Sequence, residues 1–166
     1  MQRQRYLHKI RELIPQYGSD NIIYVDESGF QDYVQRDSGW AKRGQKIYAD
    51  VRGQYNPTTN LIMAQRGREW LAPMLFKKSC AAPTVNAWIE QMLLKELSKP
   101  SIIIMDNAPF HSKPYIIKIL KQHGHYALFL PPYSPDFNPI EQSFAILKER
   151  RLQNKSLETL LTQKYI

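Results

Sequence analysis

Two short apolar runs, each closed by an aspartate, constrain this chain more than any other feature. Ile22-Ile23-Tyr24-Val25 leads into Asp26, and Ile102-Ile103-Ile104-Met105 leads into Asp106. Neither run alternates between apolar and polar residues, so neither suits a strand with one wet face. Each predicts a strand covered on both sides, and hence a sheet sandwiched between helices. A carboxylate tied to such a strand needs a partner, a cation, or a place at the strand end where water reaches it. Strand ends of this kind gather at one edge of a sheet.

The remaining elements fit around that sheet. Residues 2–14 predict a helix, with Tyr6, Leu7, Ile10, Leu13 and Ile14 at helical spacing and Pro15 and Gly18 as its stop. The glycine-containing stretch 28–46 reads as loop or irregular hairpin. Strands are expected near 46–52, 59–66 and 70–76, separated by Tyr55-Asn56-Pro57 and Arg66-Gly67-Arg68. Thr84 is the expected N-cap of a helix reaching Leu97, with Trp88, Met92 and Leu93 on one face. A helix over 113–123 and a strand over 125–130 precede Pro131-Pro132-Tyr133-Ser134-Pro135-Asp136-Phe137-Asn138-Pro139, which excludes regular structure. A helix then runs to about 153, and a short one closes the chain over 156–165. The division expected is 1–20 as N-terminal helix and linker, 21–155 as the main domain, and 156–166 as a tail.

Composition narrows the function. One cysteine, Cys80, excludes an internal disulfide, and no Cys/His group has zinc spacing. Apolar stretches are too short to span a bilayer, and the first residues lack the apolar core of a signal peptide, so a cytoplasmic protein without membrane contact is expected. The net charge is +8, and its lysines and arginines are spread along the chain. A distributed basic surface suits a polyanion, because each neutralised phosphate releases counterions.

A third acidic residue joins the first two. Glu141 follows Asn138 and Pro139, and 34 residues separate it from Asp106. Taken singly, each of the three has a structural explanation: Asp26 and Asp106 as turn caps after strands, and Glu141 as the third residue of a helix capped by Asn138, where it completes a capping box. Taken together, they offer an oxygen-rich pocket suited to Mg²⁺ or Mn²⁺.

The phrases around these residues are distinctive. Val25-Asp26-Glu27-Ser28-Gly29-Phe30, Met105-Asp106-Asn107-Ala108-Pro109-Phe110-His111 and Leu130-Pro131-Pro132-Tyr133-Ser134-Pro135-Asp136-Phe137-Asn138-Pro139-Ile140-Glu141 resemble the catalytic domain of the mariner-type DDE transposases, in particular their bacterial insertion-sequence branch. Gly39-Trp40-Ala41-Lys42-Arg43-Gly44 adds to the likeness. The resemblance implies an α/β, RNase H-like fold, a five-stranded mixed sheet whose first three strands are antiparallel, with helices on both faces. It implies a metal-dependent DNA transposase that cleaves transposon ends and joins them to target DNA. Asp26 would bridge two Mg²⁺ or Mn²⁺ ions, with Asp106 and Glu141 each holding one. It further implies a homodimer acting on DNA in the bacterial cytoplasm, associated with the nucleoid when bound. Relatives carry helix-turn-helix modules before this domain, and a single helix precedes Asp26 here. A separate helix-turn-helix polypeptide is therefore a candidate partner.

Other residues are candidates with equally good structural roles. Asn107, His111 and Glu27 are expected around the carboxylates, although Glu27 follows Asp26 directly and a strand would aim it at the opposite face. Trp40, Lys42 and Arg43 could form a DNA-contacting hairpin, and Lys148 and Arg151, beyond Glu141, could meet phosphates. Two other functions stay open on the sequence: a non-catalytic DNA-binding fragment that pairs with a full-length transposase, and a related metal-dependent nuclease.

Overall fold

The computed structural model describes residues 2–31, 43, 58–77, 79–109, 111–151 and 156–162. The strand expected near 46–52, together with Trp40 and Lys42, lies outside them.

Five strands form one mixed sheet: β1 (Ile22–Gln31), β2 (Thr58–Arg66), β3 (Glu69–Phe76), β4 (Ile102–Met105) and β5 (Tyr126–Phe129). Their order across the sheet is β3-β2-β1-β4-β5. β1 pairs antiparallel with β2, and β2 with β3, whereas β1–β4 and β4–β5 are parallel. The RNase H-like order expected from the sequence is the one found.

The two apolar runs are explained by alternation between two cores. Ile23, Val25, Ile103 and Met105 face one side of the sheet, where they meet Val85 and Trp88 of α2 (Ala82–Trp88) and Ile116 and Leu120 of α4 (Lys113–Gln122). Ile102 and Ile104 face the other side, against Tyr6 and Leu13 of α1 (Gln2–Tyr17). On that same side Phe30, Leu61 and Met63 meet Phe144 and Leu147 of α5 (Ile140–Arg151) and Leu157 and Leu160 of α6 (Leu157–Leu161). No residue of β4 is left for water, which is why none of its four residues is polar.

Several local expectations shift. β1 does not stop at Asp26 but continues to Gln31, because β2 goes on pairing with it through Gln31↔Thr58. Only its pairing with β4 ends there, at Val25↔Met105. Pro15 lies inside α1 instead of ending it. Placed in the final turn, it forfeits a single backbone bond, and the helix stops at Gly18, whose φ of 85° suits glycine and whose N–H reaches Ile14 O at 2.8 Å. α2 begins earlier than Thr84, after Ala81, with Pro83 in its first turn. It continues through a π turn (Ile89–Leu93) into α3 (Leu94–Glu96). Among the described residues no helix is long and apolar enough to cross a membrane.

The β3 edge carries a bulge that the helical layer stabilises. The register between β2 and β3 shifts between Ile62 and Ala64, and Ala72 opposite adopts φ 48°, unusual for a residue with a Cβ. Its carbonyl accepts from Trp88 Nε1 at 2.7 Å, and its N–H donates to Glu96 Oε1 at 3.1 Å. Two side chains of the helical layer thus take the place of the lost ladder bonds. Trp88→Phe leaves the buried Ala72 carbonyl unpaired, and we expect it to lower unfolding free energy by about 1–3 kcal/mol beyond the lost ring volume. Urea titration of the two proteins measures this, and an unchanged midpoint would refute it.

Candidate active site

The site is assembled where the parallel pairing ends. Asp26 is the first β1 residue past the β4 pairing, and Asp106 the first residue past β4. Both leave the apolar interior at the same edge. Pro139 and Ile140 open α5 beside that edge, which brings in Glu141 in its first turn. Asp26, Asp106 and Glu141 line one cleft of about 460 Å³ together with Asn107, Asn138 and the Leu130–Pro135 loop. Three elements distant in sequence therefore converge their carboxylates.

Asp26 is strongly perturbed. Burial, and then the charges of Glu27, Asp106 and Glu141, push its carboxyl up to about 7, against the pull of the hydrogen bond from Glu27 N. That N–H donates to Oδ1 at 2.8 Å, and Asn138 Nδ2 donates to Oδ2 at 2.9 Å. The second contact was not legible from sequence. Asn138 was expected to cap α5 with its side chain, but the buried amide turns to Asp26 instead, and its backbone carbonyl accepts from Glu141 N at 3.2 Å. No capping box forms, and Glu141 stays exposed at the cleft. The one signal available was Asn138 itself, a short amide three residues before the acid in a loop held by prolines.

Asp106 is fixed from the other face of the sheet. Glu27 shares the parity of Ile23 and Val25, so it lies on the α2/α4 side, opposite Asp26. There its Oε1 stands 3.2 Å from Nε2 of His111, whose side chain is 1% exposed. His111 Nδ1 stands 3.2 Å from Asp106 Oδ1 in an ion-pair contact, and that oxygen accepts from Ala108 N at 3.1 Å. Burial disfavours the charged imidazole, but Glu27 and Asp106 outweigh it and His111 is held above its ordinary range. Cys80 lies beside Glu27, and burial together with that carboxylate pushes its thiol up to about 12, leaving it a poor nucleophile.

Glu27, Asp106 and His111 present ligand atoms within 4.8 Å of one another. The arrangement suits a strut better than a chelate, because each ring nitrogen already faces a different carboxylate and a cation could use only one of them. The three-carboxylate cleft is the better match to a hard divalent ion. Its donors are all oxygen, and the buried Asp26 carboxylate, beside the charges of Glu27, Asp106 and Glu141, is relieved by positive charge.

The other candidates are distributed as follows. Asn107 is exposed, lines the cleft and is bonded to Lys113 Nζ. Lys148 lines a second cleft that shares Asp26 and Glu141 with the first and is also lined by Glu27, and its Nζ lies 5.6 Å from the Phe30 ring centroid. Arg151, at the last position of α5, does not line it. Arg43 is exposed in a turn, and no described contact links it to the site.

The chain resembles several solved structures. It aligns with a pre-cleavage Mos1 transpososome at TM-score 0.73 and 17% identity, covering 96% of this chain and 52% of that one. The Mos1 strand transfer complex gives 0.66 and 19%, with 82% and 43% covered. The catalytic domain of Mos1 mariner transposase gives 0.63 and 16%, with 97% and 76% covered. The chain thus spans about half the length of the proteins in the transpososome structures, and the shared fold is RNase H-like. No curated protein matches the sequence significantly. The DDE superfamily endonuclease family matches residues 21–162, and the chain belongs to that family.

Proposed function

We propose that this chain is the catalytic unit of a DNA transposase of the bacterial insertion-sequence branch, with catalysis carried by residues 21–155. The observation that carries this reading is the convergence of Asp26, Asp106 and Glu141 on one cleft, in a chain of net charge +8. The family match and the likeness to Mos1 structures solved with Mg and with Mn support it. Asp26, Asp106 and Glu141 would hold two Mg²⁺ or Mn²⁺ ions. When bound, such a pair activates the attacking oxygen and stabilises the leaving oxygen of an in-line displacement at phosphorus.

The protein's own groups prepare that chemistry. Asp26 would hold a cation in its ionised form, and Asn138 and the Glu27 N–H keep its oxygens aimed. The Glu27–His111 pair, lying against Asp106, would help to position that carboxylate for an ion. Lys148 holds a neighbouring phosphate. Water attack at a transposon end forms one P–O bond, breaks another and frees a 3′-hydroxyl, which then attacks a target phosphodiester and displaces a target 3′-hydroxyl. A homodimer would hold two ends, in keeping with the likeness to a Mos1 transposase paired-end complex. A helix-turn-helix polypeptide, encoded separately or upstream, would select them.

Incubation with Mg²⁺ or Mn²⁺ and transposon-end DNA, with a helix-turn-helix partner supplied, should yield nicked product that Asp106→Ala fails to make. Equal nicking by both proteins, or none by either, would overturn the assignment.

Two further outcomes follow from the electrostatics. Asp26 moves from an ordinary value of 3.8 to about 7 on folding. Between those pH values the unfolded chain releases a proton that the folded protein keeps, so metal-free stability falls as pH rises through this window. The loss amounts to at most about 4 kcal/mol at about 1.4 kcal/mol per unit. Urea unfolding at pH 5 and pH 8 should show it for the wild type and much less for Asp26→Asn, and a parallel pH response would count against it. Glu27→Gln removes the charge anchoring His111 and should weaken Mn²⁺ binding about 10- to 100-fold by calorimetric titration. Unchanged affinity would reduce Glu27 to a packing residue.

A further inference from the structure

Tyr133 is the most exposed large apolar side chain among the described residues, at 100% of its accessible surface, and it stands on the lining of the carboxylate cleft. Its backbone is in the left-handed region, φ 54°, where a bulky side chain is rare. Nothing at the ring compensates for that conformation, so its origin lies in the loop. Pro131 and Pro132 precede it and Pro135 follows, each with φ fixed by its ring. Buried Ser134 ties the loop down, its hydroxyl donating to Pro132 O at 3.3 Å while its carbonyl accepts from Phe137 N at 3.2 Å. Beneath, Arg3 pairs with Asp136 and lies 4.3 Å from the Phe137 ring centroid, and Tyr6 stacks on Phe137 at 5.3 Å. A rigid base thus presents a bare aromatic ring.

The surroundings identify what that ring meets. The carboxylate cleft shares Asn107, Leu130, Pro131 and Pro132 with a neighbouring cleft that Arg5 and Lys9 line. On its far side it shares Asp26 and Glu141 with the cleft that Lys148 lines. A trough therefore runs from α1 to α5, with Arg5 and the Glu12-paired Lys9 at one end, Lys148 at the other, and the carboxylates and Tyr133 between. A nucleic acid strand lying in it would set phosphates at the ends and an adjoining base at the ring. An acidic peptide would satisfy the ends but would have no flat π-face for a rigid aromatic.

We infer that Tyr133 is a stacking platform for an unpaired nucleobase next to the phosphate held at Asp26, Asp106 and Glu141. The inference rests on the transposase reading for the identity of that phosphate. Stacking on an aromatic side chain is tolerant of base identity and is worth about a five- to hundredfold in affinity per base.

The test uses the full chain and a transposon-end oligonucleotide carrying 2-aminopurine at the nucleotide beside the cleavage point, with Ca²⁺ in place of Mg²⁺ so that the phosphate is held without being cleaved. Wild type and Tyr133→Trp should quench the fluorophore and bind alike. Tyr133→Ala and Tyr133→Gly should lose the quenching and about a five- to hundredfold of affinity. Tyr133→Gly should nevertheless melt at the same or a higher temperature, since it relieves the left-handed residue, which separates stacking from a structural role. An abasic site at that nucleotide should make wild type and Tyr133→Ala bind equally. Quenching that survives Tyr133→Ala, or abasic and alanine losses that multiply, would overturn the inference. Because no step requires cleavage, Tyr133-dependent stacking by a protein that fails to nick DNA would uphold the platform and refute the transposase reading separately.

Discussion

Everything at the site depends on where β4 stops. Its four apolar residues pair with β1 only as far as Val25↔Met105, and both chains then present an aspartate at the same level of the sheet. Parallel pairing sets this juxtaposition, because strands running in one direction bring equivalent ends together. A one-residue slip would send Asp26 to the α2/α4 face and Glu27 to the cleft. The two interleaved cores forbid that slip, since it would exchange Ile23 and Val25 with Tyr24.

The site then draws support from both faces of the sheet. From the α5 side comes Asn138, which spends its amide on Asp26 instead of on its own helix. From the α2/α4 side comes the Glu27–His111 contact that steadies Asp106. Asp26 is held in a proton-retaining state by burial and by its acidic neighbours. Such a carboxylate is costly to ionise alone and less costly to ionise beside a cation.

Much of this was legible in the chain because it depended on periodicity and spacing. The uninterrupted apolar runs announced double-sided burial, and helices at 113–123 and after Pro139 appear close to where the pattern put them. What escaped was decided by tertiary partners. Asn138 looked like a helix cap because capping is a local rule, and only the fold brings Asp26 within 2.9 Å of its amide. Pro15 looked like a stop because the sequence does not say how many backbone bonds remain beyond it. The length of β1 past Asp26 depends on β2, a strand 27 residues further on at its first paired residue, Gln31↔Thr58. The opposite-face placement of Glu27 was readable from strand parity, but its partner His111 is brought by a loop 84 residues away.

The contact between α1 and the proline loop carries a consequence for how the molecule can be divided. Arg3 and Tyr6 grip Asp136 and Phe137, and the next residue is Asn138, whose amide aims Asp26. The first helix is thus two side-chain contacts from Asp26. Cutting the chain between α1 and β1 would take from Phe137 its stacking partner and from Asp136 its ion pair, next to the residue whose amide meets Asp26. The helix that precedes the first aspartate is therefore part of the scaffold of the cleft and not a detachable leader to it.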